Sequence, residues 1–220
     1  MPYYDNPYMI SVEDLKMHVD LLLNIVDGII QFRIIGGEPF LYKELNELLL
    51  MVSSCKKIYS IGIPTNGTIL IRDHQLLKSL CERKVIVDIS DYGLRDIKKH
   101  VEVLKKSHIR YVYTKERNWF DMGKPVPHGR TDNELDNQFS RCEFICRSIL
   151  NGRIYICPRS AHGTDLGLIP SSKDDWFELK TGTKEELFGF YYGKSHILAC
   201  DYCCMGTDNC NLIRAGEQVE

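Results

Sequence analysis

Seven of the nine cysteines in this 220-residue chain fall from residue 142 onward: Cys142, Cys146, Cys157, Cys200, Cys203, Cys204 and Cys210. Cys142 and Cys157 frame Gly152 in a C-x9-G-x4-C spacing, and Cys200 and Cys203 form a C-x2-C pair. A thiolate is a soft, anionic donor, and two separated pairs that converge can hold one ion or one cluster. Zinc accepts the same ligands as an iron–sulfur centre, so the cysteines alone leave the metal open. Cys55 and Cys81 sit on the apolar faces of expected helices and read as core residues.

Bulk properties narrow the setting. The formal net charge of −2 gives no basic excess that would favour nucleic acid or an acidic membrane as partner. An apolar content of 44% is ordinary for a globular chain, and no stretch reaches the roughly 18 apolar residues of a membrane helix. Met1-Pro2-Tyr3-Tyr4-Asp5 lacks the basic-then-apolar pattern of a secretory signal. The expectation is a cytoplasmic, reducing environment, in which clustered cysteines are metal or redox ligands rather than disulfides.

The first half must supply the scaffold. Val12, Leu15, Val19, Leu22, Leu23 and Val26 form a helical stripe, with Ser11 and Asp14 as a cap, and Gly28 ends it. Ile29–Ile35 reads as a buried strand, followed by a helix marked by Leu41, Leu45, Leu48 and Leu49. Strands at Ile58–Ile63, Val85–Ile89 and Ile109–Tyr113 alternate with helices over Leu70–Glu82 and through Leu94, Ile97, Val101 and Leu104. Such alternation predicts an α/β fold with a parallel sheet, whose ligands sit beyond the carboxyl ends of the strands. Three polar, glycine-containing segments fall at those ends: Gly36-Gly37-Glu38-Pro39, Pro64-Thr65-Asn66-Gly67-Thr68 and Ser90-Asp91-Tyr92-Gly93.

These segments carry a resemblance. Gly36-Gly37-Glu38-Pro39 resembles the GGEP motif of radical S-adenosylmethionine enzymes, Thr65-Asn66-Gly67-Thr68 resembles their TNGT segment, and Ser90 resembles their polar strand-end position. The C-x9-G-x4-C spacing joined by C-x2-C resembles the auxiliary-cluster extension called SPASM, or its shorter form, twitch. The resemblance implies a partial (β/α)6 TIM-like barrel over residues 1–122, a linker over 123–138, and a small cysteine-rich β-hairpin and helix extension over 139–220. It implies S-adenosylmethionine held by Gly36, Gly37, Glu38, Pro39, Thr65, Asn66 and Ser90, and an auxiliary [4Fe-4S] cluster on Cys142, Cys157, Cys200 and Cys203. The glycine pair lets backbone carbonyls approach the cofactor's amino group, and Glu38 reinforces that positive charge or holds the turn. Asn66 and Ser90 supply neutral hydrogen bonds. The implied reaction is hydrogen-atom abstraction from a small organic or peptide substrate, with an electron donor such as flavodoxin or ferredoxin.

The motif C-x3-C-x2-C, which binds the reducing cluster in that family, does not occur in this chain, and the reading is of an N-terminally truncated member. Three alternatives stand beside it: a non-catalytic iron–sulfur protein that keeps only the auxiliary centre, a zinc-stapled binding module, and a disulfide-linked structural protein. Cys146 stands too close to Gly152 for the family spacing, and Cys204-x5-Cys210 lacks the last cysteine of a second-cluster pattern, so one auxiliary centre is expected. Arg159 and His162 are candidates for contact with substrate or cluster sulfur, and Trp119, Asp121 and Gly123 for closing the barrel mouth.

Overall fold

The computed structural model describes residues 4–5, 9–93, 95–143 and 146–216. Its first half is a strand–helix alternation: α1 (Val12–Ile25), β1 (Ile29–Arg33), a 3-10 turn (Pro39–Leu41), α2 (Leu45–Ser54), β2 (Ile58–Thr65), α3 (His74–Leu80), β3 (Val85–Asp91), α4 (Lys98–Lys106) and β4 (Tyr111–Lys115). The four strands are parallel in the order β1-β2-β3-β4, with Ile29 beside Ile58, Gly62 beside Ile86 and Asp88 beside Val112. Among the described residues the sheet stays open at four strands and does not close into a barrel.

Local chemistry sets the boundaries. Ser11 starts α1, its hydroxyl accepting from the Asp14 amide at 3.1 Å and donating to the Asp14 carboxylate at 2.8 Å. The third helix starts at His74, four residues after the expected Leu70, because Asp73 caps it through the amides of Gln75 (2.7 Å) and Leu76 (3.2 Å). Strands β2 and β3 each run two residues beyond their expected ends, carrying Thr65 and Asp91 into the ladder. Leu94, expected to open the fourth helical stripe, lies outside the described residues, and α4 begins at Lys98.

One face of the sheet carries the core. Ile61, Ile63, Val85, Val87 and Ile89 are buried against Val19 of α1, Leu45, Leu49 and Val52 of α2, Leu80 of α3 and Leu104 of α4. Each such side chain contributes about 1.5–3 kcal/mol through removal from water, which is why the helices hold to this face. The alternating residues of β3 on the other face, Ile86, Asp88 and Ser90, are half-buried. There Arg33 of β1 reaches across β2 to Asp88 of β3, with Nη2 to Oδ2 at 3.1 Å. Gly62 makes the crossing possible, since a Cβ there would stand 3.1 Å from the Asp88 carboxylate and 3.5 Å from Arg33 Cγ.

The second half continues with β5 (Asn118–Phe120), α5 (Asp132–Ser140), β6 (Ser148–Leu150), β7 (Arg153–Tyr155), α6 (Pro158–Asp165), β8 (Trp176–Glu178), α7 (Lys184–Tyr192), a 3-10 turn (Leu198–Tyr202) and β9 (Leu212–Arg214). Strands β6, β7 and β8 form an antiparallel sheet, and β5 pairs antiparallel with β9. The expected hairpin around Gly152 is present, turning through Asn151 and Gly152 at φ of 51° and 74°. Two successive residues with positive φ are what a tight two-residue hairpin turn requires. The segment read as a linker instead holds most of α5, because Thr131 and Glu134 form a reciprocal capping box. Helix α1 serves both halves, since its Leu22 packs with Ile154, Leu179 and Leu187. No helix among the described residues is long and apolar enough to cross a membrane.

Candidate functional site

The strand-end segments form one hydrogen-bonded unit centred on Glu38. Its Oε1 accepts from the Thr65 hydroxyl at 2.8 Å and from the Phe40 amide at 3.2 Å, and its Oε2 accepts from the Asn66 amide at 2.9 Å. Thr65 Oγ1 in turn accepts from the Gly67 amide at 3.0 Å, and Asn66 Oδ1 accepts from the Thr68 amide at 2.9 Å and its hydroxyl at 2.6 Å. Of the two roles considered for Glu38, holding the turn is the one its contacts perform. Pro39 is buried at the first position of the 3-10 turn, where its missing N–H costs nothing. Gly67 has φ of +70° and packs against Ile89 and Ile97, so its glycine is required by the fold.

Gly36 and Gly37 differ from it. Neither has a left-handed backbone, and a Cβ at either would meet no atom within 4 Å. The protein's own packing therefore does not demand glycine there, and the space beside their backbone is open. Ser90 stands on the rim one strand away, a hydrogen-bonding neighbour of Tyr92, whose phenol burial pushes up from its ordinary range. Tyr92 meets the edge of Trp119 with ring centroids 5.1 Å apart, and Trp119 belongs to β5. Behind the rim, His100 is buried with Nδ1 2.7 Å from the Ile69 carbonyl, and burial lowers its pKa.

The cysteine region is stitched to the strand that carries Trp119. The Asp121 amide donates to Asn211 O at 2.8 Å, the Cys204 amide to Met122 O at 3.0 Å, and the Cys210 thiol to Asp121 O at 3.5 Å. Cys157 sits between β7 and α6 as the helix N-cap, its sulfur accepting from the Ser160 amide at 3.3 Å. Cys200 lies within the second 3-10 turn and Cys203 is its C-cap. Burial pushes the Cys157 thiol up to about 11 and the Cys200 thiol up to about 12, and it also raises Cys203. In each case neighbouring cysteines raise the pKa further: Cys142 and Cys203 act on Cys157, and Cys142 acts on Cys200 and Cys203. The four expected ligands are thus electrostatic neighbours. Among the described residues, no group of three or more His, Cys, Asp or Glu side chains is gathered tightly enough to hold a metal ion as it stands.

Cys210 shares this neighbourhood, with Cys203, Cys204 and Cys142 all raising it after burial, the largest cause. Cys146 is half-buried and close to Tyr191. Cys81, expected in the core, is exposed at the end of α3, where its thiol meets the carbonyls of Leu77 and Ser107.

Several positioning groups were not visible in the sequence pattern. Arg130 Nη1 donates to the carbonyls of Cys200 (3.1 Å) and Cys203 (3.0 Å), and Gln138 Nε2 donates to the same two at 3.0 Å each. Asp201, inside the C-x2-C pair, accepts from the amides of Gly129 and Arg130. Asp175, fully buried, accepts from the Ser160 hydroxyl and from the amides of Leu198 and Ala199, joining the start of α6 to the approach to Cys200. Arg159 meets the Cys157 sulfur through its backbone amide, while its side chain turns to carbonyls, Nε donating to Tyr202 O at 2.9 Å and Nη2 to Gly123 O at 2.8 Å. His162 lies 3.2 Å from the Tyr4 hydroxyl through Nδ1. Arg159 and His162 were marked in the sequence by their place after Cys157-Pro158, and Asp201 left a trace as a carboxylate enclosed by the two cysteines.

No protein-family model matches the chain. Over 81 residues it is 35% identical to the antilisterial bacteriocin subtilosin biosynthesis protein AlbA of Bacillus subtilis, a match covering 37% of this chain and 17% of that protein. It is 27% identical over 86 residues to a GTP 3′,8-cyclase of Xanthomonas axonopodis, covering 39% of this chain and 25% of the relative. A GTP 3′,8-cyclase of Campylobacter jejuni is 35% identical over 68 residues, covering 31% and 21%. The matched segments span at most a quarter of the length of these curated relatives. At that distance the chain is homologous to members of the radical S-adenosylmethionine superfamily, at the level of the broad superfamily.

Proposed function

We propose that this chain is part of a radical S-adenosylmethionine enzyme, with a partial (β/α)6 barrel over residues 1–122, a connection over 123–138 and a SPASM- or twitch-like extension over 139–220. Its reaction is hydrogen-atom abstraction from a small organic or peptide substrate, with electrons from a donor such as flavodoxin or ferredoxin. The observation that carries this reading is the joining of the GGEP and TNGT segments through Glu38 at the ends of adjacent parallel strands. Gly36 and Gly37, which the fold does not require as glycines, leave backbone open to the amino group of S-adenosylmethionine. Asn66 and Ser90 stand on the same rim as further polar partners. When bound, S-adenosylmethionine supplies the radical that takes hydrogen from the substrate.

The donor set fits an auxiliary [4Fe-4S] cluster on Cys142, Cys157, Cys200 and Cys203. Burial and neighbouring thiols raise the cost of ionising Cys157, Cys200 and Cys203, and the carbonyls of Cys200 and Cys203 are already satisfied by Arg130 and Gln138. A cationic iron–sulfur core offsets that cost.

Anaerobic reconstitution with ferrous iron and sulfide tests the centre. The expected result is a brown protein with about four irons per chain. Stoichiometric zinc without colour overturns the iron–sulfur assignment. The rim is tested separately by Gly36→Ala and Gly37→Ala. Both should melt within about 2 °C of wild type, because an added methyl meets nothing. Both should weaken S-adenosylmethionine binding about tenfold by calorimetry, since the methyl occupies the approach to the backbone.

A further inference from the structure

Three segments bring the thiols together: the hairpin that ends at Cys157, the loop from Cys200 to Cys203, and residues 121–123, against which Cys204 and Cys210 rest. Arg159 touches all three. It belongs to the first turn of α6, directly after Cys157-Pro158. Its Nε holds Tyr202 O, inside the C-x2-C loop, and its Nη2 holds Gly123 O. Gly123, with φ of +73°, is pressed so closely to Cys204 that a Cβ would stand 2.7 Å from the sulfur. Arg159 has no ion-pair partner among the described residues. Its charge is therefore not cancelled locally by a carboxylate, and it is held against the carbonyl of Tyr202, the residue directly before Cys203.

We propose that Arg159 is a positioning residue of the cysteine centre, tying the three thiol-bearing segments together and supplying the positive charge that sets the centre's reduction potential and its hold on iron. A guanidinium suits both tasks, because it is always charged and its planar fork binds two carbonyls at once. A cation beside an anionic cluster stabilises the more negative, reduced state and so raises the potential. This inference rests on the iron–sulfur reading given above.

The test compares wild type, Arg159→Gln and Arg159→Lys after anaerobic loading with ferrous iron and sulfide, reading the midpoint potential and the rate of iron release to a chelator. Glutamine keeps a donor and removes the charge; lysine keeps the charge and loses the double contact. The glutamine variant should show a lowered potential and release iron about tenfold faster, the scale on which groups behind metal ligands act. The lysine variant should hold the wild-type potential and release iron at an intermediate rate. Should the glutamine variant fail to fold, the lysine variant still decides, because a lowered potential there overturns the charge role. Equal potentials and release rates in glutamine variant and wild type overturn the inference alone, and equal shifts in both variants reduce Arg159 to a structural clamp. A wild type that takes up no iron overturns the iron–sulfur reading beneath it, and the inference with that.

Discussion

Cys157→Ala and Cys157→Ser should each lose the iron of the reconstituted centre, falling from about four irons per chain to fewer than one after gel filtration. The two variants separate ligation from folding. Cys157 is the N-cap of α6, and its sulfur accepts from the Ser160 amide at 3.3 Å. Alanine removes that acceptor and should cost about 1 kcal/mol of stability in the metal-free protein. Serine is a better cap than cysteine and should leave the metal-free melting temperature within about 2 °C. Loss of iron in both, with loss of stability only in the alanine variant, assigns the thiolate to the centre. Retention of iron by the serine variant removes Cys157 from the ligand set. Cys146 serves as a control, because it acts on Tyr191, whereas Cys142 acts on Cys157 and Cys200.

The strand-end rim was legible in the sequence because the rule behind it is geometric. Consecutive parallel strands place their carboxyl ends together, so GGEP, TNGT and Ser90 had to share one edge once the alternation was recognised. The same rule could not say what Glu38 does. Its partners, Thr65 and the Asn66 amide, lie 27 and 28 residues away, and a carboxylate after two glycines suits an ammonium ligand as well as a loop. The cysteine region shows the same division. Spacing marked Cys142, Cys157, Cys200 and Cys203, and nearness to Cys157 marked Arg159, but Arg130, Gln138 and the Arg159 guanidinium act on backbone carbonyls, which every residue owns and no motif records. The proline- and glycine-rich composition of residues 123–138 masked α5, although the T-x-x-E box at Thr131 and Glu134 was there to be read. The number of strands was set by long-range pairing, which the local pattern does not contain.

Gly206 is the clearest case of a residue whose importance only the folded chain reveals. It follows Cys203, Cys204 and Met205, with φ of +83°. A Cβ there would fall inside van der Waals contact of the Gln138 carbonyl oxygen and 3.2 Å from the Cys142 amide nitrogen. Both obstacles are backbone, so no side chain can rotate away. Gly206→Ala must push the end of α5 and Cys142 away from the loop that holds Cys203, or unwind a turn that alanine disfavours anyway. The expected cost is about 3 kcal/mol, or a melting temperature lower by roughly 10 °C. Because Gln138 also anchors the carbonyls of Cys200 and Cys203, the same shift should weaken iron retention. Thermal melts and iron counts on Gly206→Ala, set beside Gly129→Ala, check this. Gly129 has a similar φ of +69° but open space around its Cβ, so it bears the backbone strain without the collision. A Gly206→Ala protein no less stable than Gly129→Ala would show that the close approach of α5 to the cysteine loop is not what holds this region together.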